Sequence, residues 1–211
     1  MTSKTIFIGI AGASASGKTL LAETIFHELQ TELGASALAI IKEDSYYNEQ
    51  GHLSLEERAS VNYDHPNAFD HELLIEHLDH LDQGKAVQVP IYDYAVHNRS
   101  EKSFELKPVR VVLIEGILLL HDKAIRKRLD AKVFMDTPLD ICLLRRLQRD
   151  IQERGRTVES VIEQYKRNVR PMFLEFIEPS KQFADIIVPR GGRNRVAIEM
   201  IKARILQMLA C

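Results

Sequence analysis

Residues 12–19 read Gly-Ala-Ser-Ala-Ser-Gly-Lys-Thr and match G-x-x-x-x-G-K-[ST] at every defined position. The pattern constrains the fold because it works as a turn between a strand and a helix. Glycine permits backbone conformations that a Cβ disfavours, so successive N–H groups can converge on one anion. The lysine reaches the outer phosphates of a nucleoside triphosphate, and the final hydroxyl ligates Mg2+. The flanks agree. Ile6, Phe7, Ile8 and Ile10 form an apolar run before the loop, and Leu21, Ile25, Leu29 and Leu33 recur at helical spacing after it. A helix N-terminus there favours negative charge. A triphosphate site is therefore expected at Gly12, Ala13, Ser14, Ala15, Ser16, Gly17, Lys18 and Thr19, with Thr19 on the metal side.

Composition sets limits. The 211 residues, 45% hydrophobic, suffice for one substantial core. A formal charge of −2 argues against a nucleic-acid-binding surface. Cys142 and Cys211 are far apart and lack metal-type spacing, as in a reduced cytosolic chain. No stretch approaches a membrane span, and the first residues do not resemble a signal peptide. A soluble cytoplasmic protein is the expectation.

Strand and helix patterns alternate, which predicts an α/β fold: a mostly parallel five-stranded sheet with helices on both faces. Strands are expected at 37–41, 109–114, 131–135 and 186–188, and helices at 69–81, 138–154, 158–177 and 195–209. Asp70 is read as an N-cap, Asp136 or Thr137 as another. Residues 48–67 read as irregular. Residues 87–94 and 103–106 read as a small β-hairpin inserted against the main rhythm, within about 86–107. No linker divides the chain, so one domain over 1–211 is expected, with a helical lid near 145–165.

Ligands bind outside the carboxyl ends of the strands in such sheets. That rule selects Asp44, shortly after the second strand, and Glu115, at the end of the 109–114 run. A carboxylate closing an apolar strand is costly unless a cation is near, so Glu115 is assigned to the metal beside Thr19. Asp44 has two readings on spacing alone: a base for an acceptor hydroxyl, or a turn aspartate bonding its own backbone. Arg146 and Arg149 share a helix face, and Arg154-Gly155-Arg156 sets two cations around a flexible residue. They suit charge stabilisation over a triphosphate, or else form a solvated basic face with pairs such as Asp150–Arg154. Tyr92 and Tyr94 alternate about Asp93 and face one side, which is either a pocket or core.

Asp44-Ser45-Tyr46-Tyr47, Asn62-Tyr63-Asp64-His65-Pro66, Pro90-Ile91-Tyr92-Asp93-Tyr94 with His97, Glu115-Gly116-Ile117-Leu118, and 149–156 (Arg-Asp-Ile-Gln-Glu-Arg-Gly-Arg) occur in this order with the phosphate loop. Together they resemble the uridine kinase (uridine–cytidine kinase) family of P-loop kinases, most closely its bacterial members, from about residue 5 to 195. The resemblance implies transfer of the γ-phosphate of ATP or GTP, with Mg2+, to the 5′-hydroxyl of uridine or cytidine. It implies that Asp44 is the general base, that Lys18, Arg154 and Arg156 handle the phosphates, and that Asp64 holds the ribose. Tyr92, Tyr94 and His97 surround the pyrimidine, with Arg146, Arg149 and Gln164 near the nucleoside. A homotetramer and feedback by CTP or UTP follow from the same resemblance. Tyr94 stands where some relatives carry Phe.

Two other classes of protein also carry a phosphate loop of this kind. A kinase of similar architecture, phosphoribulokinase- or pantothenate kinase-like, would need cations for its acceptor rather than an aromatic base pocket. A nucleotide-dependent switch or motor would carry an Asn-Lys-x-Asp or Leu-Ser-Gly-Gly-Gln-like segment, and neither is present.

Overall fold

The computed structural model describes residues 4–34 and 36–210. Cys211 lies outside them. Cys142 is free and buried, and burial raises its thiol pKa to about 11, so it is an inert side chain of the core.

Five strands form the main sheet: β1 (Ile6–Gly12), β2 (Leu38–Lys42), β5 (Val111–Gly116), β6 (Ala131–Asp136) and β7 (Ile186–Pro189). They lie in the order β2-β5-β1-β6-β7, and every pairing is parallel. Alternation along each strand sorts side chains onto two faces. Ile6, Ile8, Ile10, Val111, Leu113, Val133 and Met135 pack on one side against Leu21, Ala22, Ile25 and Leu29 of α1 (Lys18–Leu33) and Ile198, Ile201 and Ile205 of α9 (Arg195–Ala210). Phe7, Ala11, Val112, Ile114 and Phe134 face the other way, onto Leu74, Leu78 and Leu81 of α3 (His71–Asp82) and a core continuing through Leu118–Leu120. With both faces covered, the central strands are continuous apolar runs.

Between the main strands lie α2 (Leu55–Ser60), the antiparallel hairpin β3 (Val87–Asp93) and β4 (Asn98–Leu106), and α4 (Lys123–Arg126). The expected irregular segment 48–67 thus contains a short helix. Its signal was legible: Ser54 accepts from the Glu57 N–H, and the Glu57 carboxylate accepts from the Ser54 N–H, the reciprocal box that starts helices. Asp70 caps α3 as expected, accepting from Leu73 N–H at 3.0 Å. The expectation for α5 (Leu139–Gln152) needs correcting, because Pro138 is its N-cap and no side chain bonds there.

The expected helix 158–177 is longer and broken in character. It runs as α6 (Val158–Gln164), a π-helical stretch Tyr165–Val169, α7 (Arg170–Met172), a second π stretch Phe173–Ile177, and α8 (Glu178–Ser180). Pro171 and Pro179 are the second residues of the segments that follow each π stretch. A proline lacks the N–H that an α-helical bond would use, which favours the wider turn before it. Among the described residues, no helix is long and apolar enough to cross a membrane.

Candidate active site

All five parallel strands deliver their carboxyl ends to one edge, where the phosphate loop follows β1. Gly12 has φ 145° and Gly17 φ 97°. A Cβ at Gly12 would stand 2.8 Å from the Met135 carbonyl oxygen, and one at Gly17 2.7 Å from the Gly192 nitrogen. The loop is thus pressed between the end of β6 and the turn before α9, where glycine alone fits. Ser16 N–H donates to Ala13 carbonyl at 3.1 Å. Thr137 leaves the capping role expected of it and donates its hydroxyl to Ser16 carbonyl at 2.8 Å.

Glu115 ends β5 in register with Ile10 of β1 and Lys42 of β2. Its carboxylate accepts from the Thr19 hydroxyl at 2.9 Å. Burial pushes the Glu115 carboxyl above its usual range, against the pull of Lys18, and the Asp44 charge adds to the rise. A buried carboxylate beside a hydroxyl is an oxygen pair that favours a cation. Among the described residues, no three His, Cys, Asp or Glu side chains cluster to hold a metal by themselves.

Asp44 sits in the 3-10 turn Glu43–Tyr46 directly after β2. The Tyr94 hydroxyl donates to Asp44 Oδ2 at 2.8 Å, and the Arg154 guanidinium lies over the Tyr94 ring, 4.7 Å from its centroid. The Asp44 carboxylate, the Tyr94 ring and the Arg154 guanidinium therefore meet at one place. Tyr94 and Tyr92 rings stand 5.1 Å apart, and Tyr92 packs on Tyr47 at 4.8 Å, so Tyr92 joins Tyr94 to the edge of the core. His97, at the end of the hairpin turn with φ 50°, stacks on Tyr63 at 5.7 Å. The Tyr63 hydroxyl donates to the His97 carbonyl at 3.2 Å. Burial, then the charges of Arg156 and Arg154, hold the His97 imidazole below its usual pKa, which keeps it neutral at pH 7.

Asp64 is buried in a recess with Ser14, Arg146 and Tyr165 among its lining residues. Burial raises its carboxyl while Arg146 draws it down. Arg146 donates to Ser14 Oγ and to Gln164 Oε1, both at 2.9 Å. Arg156 also donates to Gln164 Oε1 and, at 2.8 Å, to Ser160 Oγ. Arg146 and Asp150 are buried, at 7% and 0% exposure. Residues 145–156 are therefore not solvated throughout: Arg145 and 151–155 are exposed, while Arg146 and Asp150 turn inward.

Sequence reasoning passed over three groups that organise this edge. Asp150 entered only as a surface pair. Tyr63 lay inside a quoted segment without a role. Glu43, beside Asp44, is fully buried and accepts from His71 Nε2 and from Leu118 N–H, each at 2.9 Å. It ties the turn carrying Asp44 to the segment after Glu115. Gly116 lies against it so closely that a Cβ there would overlap the Glu43 side chain. Gly116→Ala is expected to cost about 1–3 kcal/mol by overpacking, readable as a lower midpoint in urea unfolding.

The chain matches the Phosphoribulokinase / Uridine kinase family over residues 7–197. It belongs to that family. It is 61% identical over 204 residues to a uridine kinase of Tolumonas auensis, covering 97% of this chain and 95% of the relative. Identity to a uridine kinase of Aeromonas hydrophila is 62% over 204 residues, with the same coverage. Among solved structures, phosphoribulokinase from Rhodobacter spheroides superimposes with a TM-score of 0.68 at 15% identity, over 88% of this chain and 70% of that one. At that identity the likeness carries the P-loop kinase fold alone.

Proposed function

We propose that the protein phosphorylates the 5′-hydroxyl of uridine, and also of cytidine, giving UMP and CMP in cytoplasmic pyrimidine salvage. Its identity of about 60% to uridine kinases over nearly the whole chain supports uridine as acceptor. The observation that carries the mechanism is the meeting of Asp44, Tyr94 and Arg154 beside the phosphate loop. We read residues 1–211 as one kinase domain, with the 86–107 hairpin on the acceptor side and 145–165 as its lid.

In this reading Lys18 and the loop N–H groups hold the phosphates of ATP or GTP. Thr19 and Glu115 would hold Mg2+, which would neutralise phosphate charge there. Asp64 takes the ribose hydroxyls, and the 5′-oxygen lies against Asp44. That oxygen bonds to the γ-phosphorus as the bridging P–O bond to the departing diphosphate breaks. Its proton passes to the Asp44 carboxylate. Arg154 and Arg156 stabilise charge on the transferring group, a contribution made where it develops. Arg146, Arg149 and Gln164 frame the nucleoside from the lid side. A homotetramer and feedback by CTP or UTP belong to the same proposal; sedimentation tests the first, and initial rates with added CTP or UTP test the second.

A panel of acceptors with labelled ATP tests this reading. Uridine and cytidine should accept label, and ribulose phosphate and pantothenate should not. Label on a sugar phosphate alone would transfer the protein to the other branch of its family.

His97 accounts for acceptance of two bases. Uracil presents a donor at N3 and an acceptor at O4, and cytosine reverses both. A neutral imidazole nitrogen donates or accepts according to tautomer, and His97 is held neutral by its surroundings. An asparagine amide fixes which atom does which. His97→Asn is expected to change the uridine/cytidine ratio of kcat/KM by about tenfold, the scale of one hydrogen bond. An unchanged ratio removes His97 from base discrimination.

A further inference from the structure

Four guanidinium groups from α5 and the turn beyond it converge on one carboxylate. Asp150, fully buried, has Arg149 Nη2 at 2.8 Å, Arg154 Nη1 at 3.4 Å, Arg146 Nε at 3.5 Å and Arg156 Nη1 at 3.8 Å. The backbone joins in. Arg156 N–H donates to the Asp150 carbonyl at 3.1 Å, with Gly155 at φ 63° turning the chain back. Four cations against one anion leave an excess of positive charge, whose mutual repulsion water screens only in part, because the side chains of Arg149, Arg154 and Arg156 are 28–33% exposed and Arg146 is buried. The carboxylate is what allows them to share this space.

The contacts are graded. Arg149 makes a full hydrogen bond, Nε to Asp150 Oδ1 at 2.9 Å. The others stand at ion-pair distance and direct hydrogen bonds elsewhere: Arg146 to Ser14 and Gln164, Arg156 to Gln164 and Ser160. Arg154 lies over Tyr94. Asp150 Oδ2 and Arg146 Nε are buried without a hydrogen-bond partner. Asp150 therefore holds Arg146, Arg154 and Arg156 by charge rather than by directed bonds, and their donors can turn to a phosphate without breaking one to the carboxylate.

We infer that Asp150 is the positioning residue of the lid arginines: it gathers Arg154 and Arg156 beside the phosphate loop before the donor arrives and releases them to it. The inference rests on the proposed role of those arginines as phosphate ligands. The proteolysis arm of its test uses no substrate and so stands or falls separately from that role. Trypsin cuts after Arg154 and Arg156, on the exposed side of the turn. In the ligand-free protein, Asp150→Asn should be cut there about tenfold faster or more, through local opening of an uncompensated cluster. Asp150→Glu, which keeps the charge, should be cut at close to the wild-type rate. In turnover the Asn variant should raise the donor KM more than it lowers kcat, and the Glu variant should recover most of the loss.

Equal cutting of all three proteins, or equal impairment of the Asn and Glu variants, overturns the inference, because a packing role would not distinguish charge from shape. If Asp150→Asn yields no folded protein, Arg149→Gln decides. It removes the tightest competitor for the carboxylate, so cutting at Arg154 and Arg156 should slow; an unchanged or faster cut overturns the inference.

Discussion

Asp44→Asn is expected to lower kcat about 10²–10⁴-fold, the usual worth of a general base, while the nucleoside KM changes little. The amide keeps the shape and can still accept from Tyr94, whose hydroxyl lies 2.8 Å from Asp44 Oδ2. What it loses is the capacity to take the 5′-hydroxyl proton. Steady-state rates with uridine varied at saturating ATP make the comparison, and a kcat within about threefold of wild type would take the base's role from Asp44. The split between parameters matters. Loss of an interaction made only in the transition state lowers kcat and kcat/KM together. By contrast, Asp64→Ala should raise the nucleoside KM and spare kcat.

Glu43→Ala is expected to be the most destabilising substitution near the site, at about 3–5 kcal/mol. It removes the acceptor of a buried ion pair and leaves His71 and the Leu118 N–H unsatisfied. Activity should fall with stability, because Glu43 fixes the turn carrying Asp44 against the segment after Glu115. The pair also gives stability a pH dependence. Burial disfavours the charged His71 imidazole, but the hydrogen bond and charge of Glu43, with the charges of Asp122 and Asp70, outweigh it and raise the pKa. A folded pKa above the unfolded one stabilises fully below about pH 6.5. That contribution is lost as pH rises through the folded value. Unfolding free energy should therefore decline as pH rises above about 6.5 and through the folded value, and His71→Gln should flatten the decline. An identical slope in the variant would contradict this origin.

Most of the sheet and the donor side of the site were legible because each rests on local pattern. The run from Ile6 to Gly12 and the glycine spacing to Thr19 specify a strand, a turn and a helix from adjacent residues. Strand-end position alone placed Glu115 near Thr19. The acceptor side was less legible because its contacts join distant segments: Tyr94 meets Asp44 across 50 residues and Leu118 meets Glu43 across 75. Asp150 shows the limit most clearly. Its spacing to Arg146 and Arg154 is that of a surface pair, and only the return of the chain beyond α5, with α6 packed beside that helix, buries it. Ser54 and Glu57 are the opposite case, a local capping signal hidden within a polar stretch.

Nucleoside-dependent ADP formation tests the central claim, phosphoryl transfer to the 5′-hydroxyl of a pyrimidine nucleoside, most directly when uridine is set against 5′-deoxyuridine. With ATP, uridine should yield ADP and UMP in equal amounts, while 5′-deoxyuridine should compete with uridine yet support no ADP formation above background. Equal ADP with both nucleosides, or none with uridine, would contradict the account.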